Sequence, residues 1–350
     1  MTQMNLWASL SFRQCAMAIA AISLSAATLW STAAAQGTAS DTAQWQVPRT
    51  PHGHPDLQGN WTNATLTPIQ RPKGLGPVLS PEQVVEIEEG QAPTDRPEVL
   101  TDDGYWRRFG EEVGLAKGSA TSEAGDRVAI VDGEPRSSLV MNPADGRVPA
   151  LTPEGLRRVE GRAALRSQFD FRDHPELLPL EDRCLVSFGS NAGPPMLPNY
   201  FYLNNYTIVQ TPDHLMIMTE MVHDARIIRL SSPTPLPSHI RPWFGDSWGR
   251  WEGDTLVVET TNLNPDHPLR GVPPSEDRKV IERFTRVSED SILYEFTIDD
   301  LTMYESVWGG QVPFDRFNDL LYEYACHEGN YSLANTLSGA RYEESREENR

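Results

Sequence analysis

The sequence predicts a mainly β protein, an antiparallel β-barrel with an irregular and helical N-terminal half. A two-sheet sandwich is the alternative. Three observations carry this reading. After Pro198 about eight short β-like runs follow one another with short links and no helix between them, a pattern that demands antiparallel pairing. Within the run 279–287 the faces are mixed: Glu282, Phe284 and Arg286 alternate with Ile281, Arg283, Thr285 and Val287. Neither face is purely apolar, which suits a barrel with a partly polar lumen. Finally, no repeat with a period of 20 to 50 residues is present, which disfavours solenoids and propellers.

In chain order, the first 35 residues read as a secretory signal peptide. The run "CAMAIAAISLSAATLW" follows a leader carrying only Arg13 and precedes "STAAAQG", with Ala33 and Ala35 at the small positions of an A-x-A cleavage site. Cys15 lies inside it and no lipid anchor is expected. Residues 36–197 form the wrap, with a first strand near 57–63. Ser80-Pro81-Glu82-Gln83 starts a helix, with serine as N-cap, proline at N1 and glutamine at N3. A second helix opens at Thr152-Pro153-Glu154 and carries Leu156, Val159 and Ala163 on its apolar stripe. Residues 198–345 form the β domain. It takes in "NYTIVQTPDHLMIMTEMVHDARIIRLSS" as three strands, "DTLVVETTNL" as a fourth and "RKVIERFTRVSEDSILYEFTIDDLTMYESVWGG" as three more, with "DLLYEYACHEGNYSL" closing the series. Gly253-Asp254, Ser288-Glu289-Asp290 and Asp299-Asp300 supply turns.

The chain of 350 residues carries a net charge of −19. Cleavage of the leader removes Arg13 and no acid, leaving −20. Such a protein repels phosphate backbones and anionic lipid surfaces, so neither nucleic acid nor, after cleavage, a membrane is an expected partner. No G-x-G-x-x-G, P-loop, G-x-S-x-G or H-E-x-x-H occurs, and support for dinucleotide enzymes, NTPases, common serine hydrolases and zincins falls accordingly. No cofactor and no metal are expected. Cys184 and Cys326 remain after cleavage, and an even pair in an exported chain predicts a disulfide.

Three clusters carry chemistry. "GDSWGRWEGD" offers Asp246, Arg250 and Trp251 ahead of the Gly253-Asp254 turn; tryptophan beside charged groups makes a ligand wall of flat apolar surface and orienting polar contacts. "TEMVHDARIIRL" offers Glu220, His223, Asp224 and Arg226. In one extended strand Glu220, Asp224 and Arg226 share a face, and a turn at His223-Asp224 brings all four together. "YEYACHEGNY" offers Tyr324, His327 and Glu328 beside Cys326. A histidine next to a carboxylate is the usual general acid–base pair. The competing reading of each cluster is a solvated hairpin end.

The segments "TPHGHPDLQGNWTN", "YTIVQTPDHLMIMTEMVHDARIIRL", "GDSWGRWEGDTLVVETTN", "IERFTRVSEDSILYEFTIDD" and "EYACHEGNY" together resemble a family of exported, largely uncharacterised bacterial proteins, over nearly the whole mature chain. The resemblance implies export and brings no established reaction. Where such proteins often read like "DGRPHLP", this chain has "SSPTPLP" at 231–237, so a site built on that histidine is in doubt here. Gly59-x-Trp61 is similar to the G-x-W of a lipocalin-type first strand, which implies a calycin-like barrel.

The functional expectation is an exported protein that processes a small apolar or aromatic molecule by acid–base chemistry, as a lyase, hydratase, isomerase or hydrolase. His223 or His327 moves the proton, Asp224 or Glu328 orients it, and Arg226 or Arg250 steadies negative charge. Glu220, Asp246, Trp251, Tyr206 and Tyr324 complete the ligand wall. A periplasmic carrier barrel and an envelope interaction protein without catalysis are the alternatives.

Overall fold

The structure, a computed structural model, describes residues 45–89, 125–187, 191–198, 203–222, 225–231, 234–267, 269, 272–273 and 275–350. The predicted signal peptide lies outside them. Residues 45–350 form one compact unit.

The elements of the N-terminal half are β1 (Gly59–Thr62), α1 (Pro81–Glu88), the short strands β2 (Ile130–Val131), β3 (Glu134–Pro135) and β4 (Val140–Asn142), α2 (Pro153–Arg166) and a 3-10 turn at Pro175–Leu177. Then follow β5 (Asn205–Gln210), β6 (His214–Thr219), β7 (Ala225–Arg229), β8 (Asp246–Glu252), β9 (Thr255–Thr261), β10 (Lys279–Arg286), β11 (Ser291–Asp299), β12 (Trp308–Arg316) and the C-terminal helix α3 (Ser332–Glu348). α1 starts as its sequence dictates: the Ser80 hydroxyl accepts from the Gln83 N–H at 3.3 Å and the Gln83 amide oxygen accepts from the Ser80 N–H at 2.9 Å. Thr152 caps α2 by accepting from the Gly155 N–H at 2.9 Å.

β1 and β5–β12 close into a nine-stranded barrel. Closure rests on β1, which pairs with β5 through Trp61 and Tyr206 and with β12 through Trp61 and Arg316. A sandwich would leave these edges open. One strand pair departs from the antiparallel expectation. β7 and β8 run parallel, with Ile228 opposite Ser247 and Arg229 opposite Trp248, because the link 230–245 carries the chain back to the end of the barrel from which β7 started. "GDSWGRWE" is therefore itself a barrel strand.

The expected closing strand at 319–333 does not form; that segment is coil leading into α3. Edge geometry explains this. β12 is already bonded to β11, to β1 and to β4, so no free edge remains for another strand. Glycine makes the crowding possible: a Cβ on Gly309 would lie 2.1 Å from the Phe296 carbonyl oxygen, and one on Gly310 2.1 Å from that of Leu139.

The barrel has two different ends. At one, tight hairpins join β5 to β6, β8 to β9 and β10 to β11; Gly253 takes the positive φ of 61° that its turn needs. Trp61 plugs this end, with the Arg316 guanidinium 4.0 Å above its ring and its indole N–H donating to the Leu57 carbonyl at 2.9 Å. Trp61, Tyr206, Phe284, Tyr294 and Phe314 are all buried and fill the lumen above it. The connections β6–β7, β9–β10 and β11–β12 lie at the other, loop end.

The disulfide forms between Cys184 and Cys326, 142 residues apart. Among the described residues no helix is long and apolar enough to cross a membrane.

Candidate functional site at the loop end of the barrel

The period of two along a strand fixes which side chains enter the lumen. On β10 the buried set is Val280, Glu282, Phe284 and Arg286; on β11 it is Ile292, Tyr294, Phe296 and Ile298. Carried one step past the strand ends, this alternation points Arg278 and Asp300 inward as well, and both are buried. Trp308 begins the inward set of β12, while Arg226 and Ile228 supply that of β7. Two polar layers result.

The deeper layer is an ion-pair network in which only Arg226 Nε is left without a partner. Arg226 donates to both oxygens of Glu282, at 2.6 and 3.0 Å. The Tyr294 hydroxyl donates to Glu282 Oε1 at 2.9 Å and accepts from the Met196 N–H at 2.8 Å. Ser247 and Thr260 hydroxyls share a hydrogen bond of 2.8 Å and flank Arg226 Nη2 at 3.4 and 3.5 Å. The ion pair is shielded from solvent, with side-chain exposures of 2% and 0%. Its two parallel bonds and the extra donor from Tyr294 offset the desolvation of both charges. Burial, then the nearby Glu282 charge, holds the Tyr294 phenol well above its ordinary range. The phenol therefore stays a donor.

The outer layer is not closed by protein atoms. Arg278 is 1% exposed, and none of its three guanidinium nitrogens has a hydrogen-bond partner in the protein. Its pKa is pushed down to about 10, chiefly by burial, against the opposing pull of Tyr304 and Asp300. It remains a cation at neutral pH. Asp300 spends Oδ1 on the Met303 N–H at 3.0 Å, while Oδ2 is buried and unbonded. The Tyr304 hydroxyl and the Trp308 indole N–H are likewise buried without protein partners, and their rings meet edge to face at 5.7 Å. Burial holds the Tyr304 phenol above its ordinary range, hence protonated. His267 packs edge-on against Phe244 at 5.4 Å. Burial, then the Arg278 and Arg226 charges, hold its imidazole well below the ordinary histidine range, so it is neutral. This end of the barrel thus presents buried donors, one free carboxylate oxygen and aromatic walls.

The residues singled out from sequence are distributed as follows. Arg226 enters the lumen. Tyr206 is also buried there, but its hydroxyl is spent on the Asn191 carbonyl at 3.0 Å and Asn63 Oδ1 at 3.3 Å. Glu220 is buried just past β6 and is structural, accepting from Asn205 Nδ2 at 2.7 Å and from the Tyr322 N–H at 2.9 Å. Asp246 holds Arg229 at 2.6 Å and the Leu236 N–H at 2.8 Å. Arg250 points outward between Glu259 and Glu252, at 2.8 and 2.9 Å. Trp251 alternates to the opposite face near the hairpin end, where it stacks on His54 at 5.1 Å. His327 and Glu328 are exposed, beside the disulfide. Tyr324 lines a surface cavity of about 380 Å³ with Glu181, Asp182, Glu323 and Cys326. His223 and Asp224 lie outside the described residues. The expected shared pocket of Arg250, Trp251 and His327 is therefore not assembled: strand alternation sends Arg250 outside, and the segment bearing His327 is not part of the barrel.

Glu282, Arg278, Asp300, Tyr304, Trp308 and His267 were not singled out by sequence reasoning. A signal existed for three of them. Glu282 is a charge in the middle of a face shared with Phe284, and extending the β10 and β11 faces by two residues reaches Arg278 and Asp300. Among the described residues no three His, Cys, Asp or Glu side chains are grouped to hold a metal ion. No protein-family model matches the chain, and no curated protein matches it in sequence.

Proposed function

We propose that the chain is an exported protein whose barrel holds a small molecule at its loop end. One observation carries the reading. Arg278, Asp300, Tyr304 and Trp308 are buried together at one end of the lumen with polar atoms that no protein group satisfies. Leaving a buried polar group unbonded costs about 1–3 kcal/mol, and more when it is charged. Such a concentration at one place is the mark of a site rather than of a scaffold. The aromatic rings of Trp308, Tyr304 and Phe296 give the apolar surface that such a site needs. Export is supported by the A-x-A leader and by the disulfide.

Binding is favoured over acid–base turnover at the sites first expected, since His327 and Glu328 are exposed and Arg250 faces outward. His267 is a poor proton acceptor, because burial first, and then two nearby buried cations, disfavour an imidazolium there. A second reading, acid–base turnover of the bound molecule, is favoured by the unbonded Asp300 Oδ2 near the protonated Tyr304 phenol. An envelope interaction role would need neither.

Incubating the mature protein with a metabolite extract and following both retention and depletion by mass spectrometry separates these. Retention of an unchanged compound supports the binding protein. Depletion with a new product supports the enzyme. Neither retention nor depletion overturns both and leaves the envelope role.

A further inference from the structure

We infer that the group recognised at the loop end is the carboxylate of a small hydroxycarboxylic acid, held on the Arg278 guanidinium with its hydroxyl donating to Asp300. The inference rests on the preceding reading and specifies its ligand class. The buried unbonded atoms are unequal in kind. Arg278 offers Nε, Nη1 and Nη2, Trp308 offers an indole N–H and Tyr304 a hydroxyl, whereas the acceptor is Asp300 Oδ2. A group that fills this set is rich in acceptors, negatively charged, and carries one donor.

The planar guanidinium fork matches two coplanar oxygens, the geometry of a carboxylate. A neutral amide or alcohol would leave the Arg278 charge unanswered in a buried setting. A phosphate dianion would place a second negative charge close to Asp300 in a site with little water to screen it. Asp300 likewise repels a bare carboxylate unless the ligand brings a donor to it. A hydroxyl on the neighbouring carbon does so.

The relation of Arg278 to Asp300 supports the same assignment. Lys279 and Asp299 are the last cross-strand pair of β10 and β11. Arg278 and Asp300 thus occupy facing positions one residue farther on, both inward and both buried. Opposite charges so placed ordinarily join; here Arg278 makes no hydrogen bond to Asp300. Asp300 is instead pinned by its turn, in which the N–H groups of Met303 and Tyr304 donate to its carbonyl at 3.2 and 2.9 Å and the Met303 N–H also reaches Oδ1 at 3.0 Å. The carboxylate is held by its own turn and not drawn onto the cation, which leaves an unbonded polar atom on each group.

The test is calorimetric titration of the folded mature protein with glycolate and mandelate, their unsubstituted counterparts acetate and phenylacetate, mandelamide, and inorganic phosphate. The hydroxy acids are expected to bind at least about tenfold more tightly than mandelamide or phosphate. Arg278→Met should lose about tenfold or more, with Arg278→Lys recovering part of it, and Asp300→Asn should erase the preference for hydroxy over unsubstituted acids. Near-ultraviolet circular dichroism confirms that each variant is folded. Equal affinity for amide and acid, tighter binding of phosphate, or hydroxy-acid binding indifferent to Arg278 overturns the inference. If carboxylates fail while the extract experiment retains a neutral compound, only the ligand class is wrong. If nothing is retained and nothing binds, the site itself is refuted.

Discussion

Arg278 and Asp300 face each other one residue beyond the β10–β11 ladder, both buried, yet neither bonds the other. One layer deeper, Arg226 and Glu282 are also buried and opposite in charge, and they join through two hydrogen bonds of 2.6 and 3.0 Å. The same lumen therefore holds one pair of opposite charges that is joined and one that is kept apart. The first is architecture and the second is the candidate site, and the two make different predictions.

The deeper pair should behave as a unit. Arg226→Leu or Glu282→Leu alone strands a buried charge and is expected to cost about 3–5 kcal/mol. The double substitution should cost well below the sum, because neither charge is left behind. Urea unfolding of the three variants completes the cycle. Additive losses would show that the pair contributes nothing as a pair.

The disulfide ties a segment that no strand anchors. Residues 317–331 are held by the Phe317 N–H to the Asn60 carbonyl at 3.0 Å, by Tyr322 on Glu220, and by Cys326 on Cys184. Thiol labelling of denatured, unreduced mature protein should find no free cysteine. Replacing both cysteines by serine should lower stability by about 2–5 kcal/mol. Two labelled thiols, or an unchanged unfolding midpoint, would contradict this.

His267 gives the acid limb of stability a defined sign. Its folded pKa lies well below the ordinary value of 6.5, through burial and then the Arg278 and Arg226 charges. Above that ordinary value folded and unfolded forms bind equal numbers of protons at this site and its contribution is constant. As pH falls below it, the unfolded chain takes up a proton that the native form excludes, so stability declines by up to about 1.4 kcal/mol per pH unit. His267→Gln should flatten the stability profile between about pH 6.5 and 4. A profile of unchanged slope would place the imidazole in contact with water.

Arg250 should be dispensable. Its partners Glu252 and Glu259 share the outer surface, and its side chain is 54% exposed. Arg250→Ala is expected to change stability by about 0–1 kcal/mol and to leave ligand retention intact. Loss of retention with the fold preserved would return Arg250 to the site.

Much of the fold is legible in the sequence because it is written in local chemistry. The Ser80–Gln83 capping box, the Gly253-Asp254 turn and the period-two faces of β10 and β11 each depend on neighbours within a few residues. The parallel entry of β8 is not written that way, since it depends on where the link 230–245 returns the chain. Nor is the fate of 319–333, whose apolar and aromatic residues read as a strand until β12 proves to have no edge left. The site was only partly legible for the same reason. Proximity along the chain pairs Arg250 with Trp251, but in a barrel strand adjacent residues point to opposite faces, and it pairs His327 with Glu328, but that segment is coil outside the barrel. The residues that do meet are far apart in sequence: Arg226 and Glu282 reach each other across the lumen from β7 and β10, and Arg278 and Asp300 are brought opposite by the β10–β11 register.

On this proposal Arg278 is kept buried for a ligand and not for the fold. Equilibrium urea unfolding of Arg278→Met beside the unaltered protein, both free of ligand, tests it most directly. A guanidinium without protein partners contributes desolvation cost and no bond, and methionine fills similar space. The variant should be at least as stable as the parent, because it removes a desolvated charge that no protein group bonds. A loss of about 3 kcal/mol or more would mean that Arg278 holds the barrel together, and would overturn the proposal.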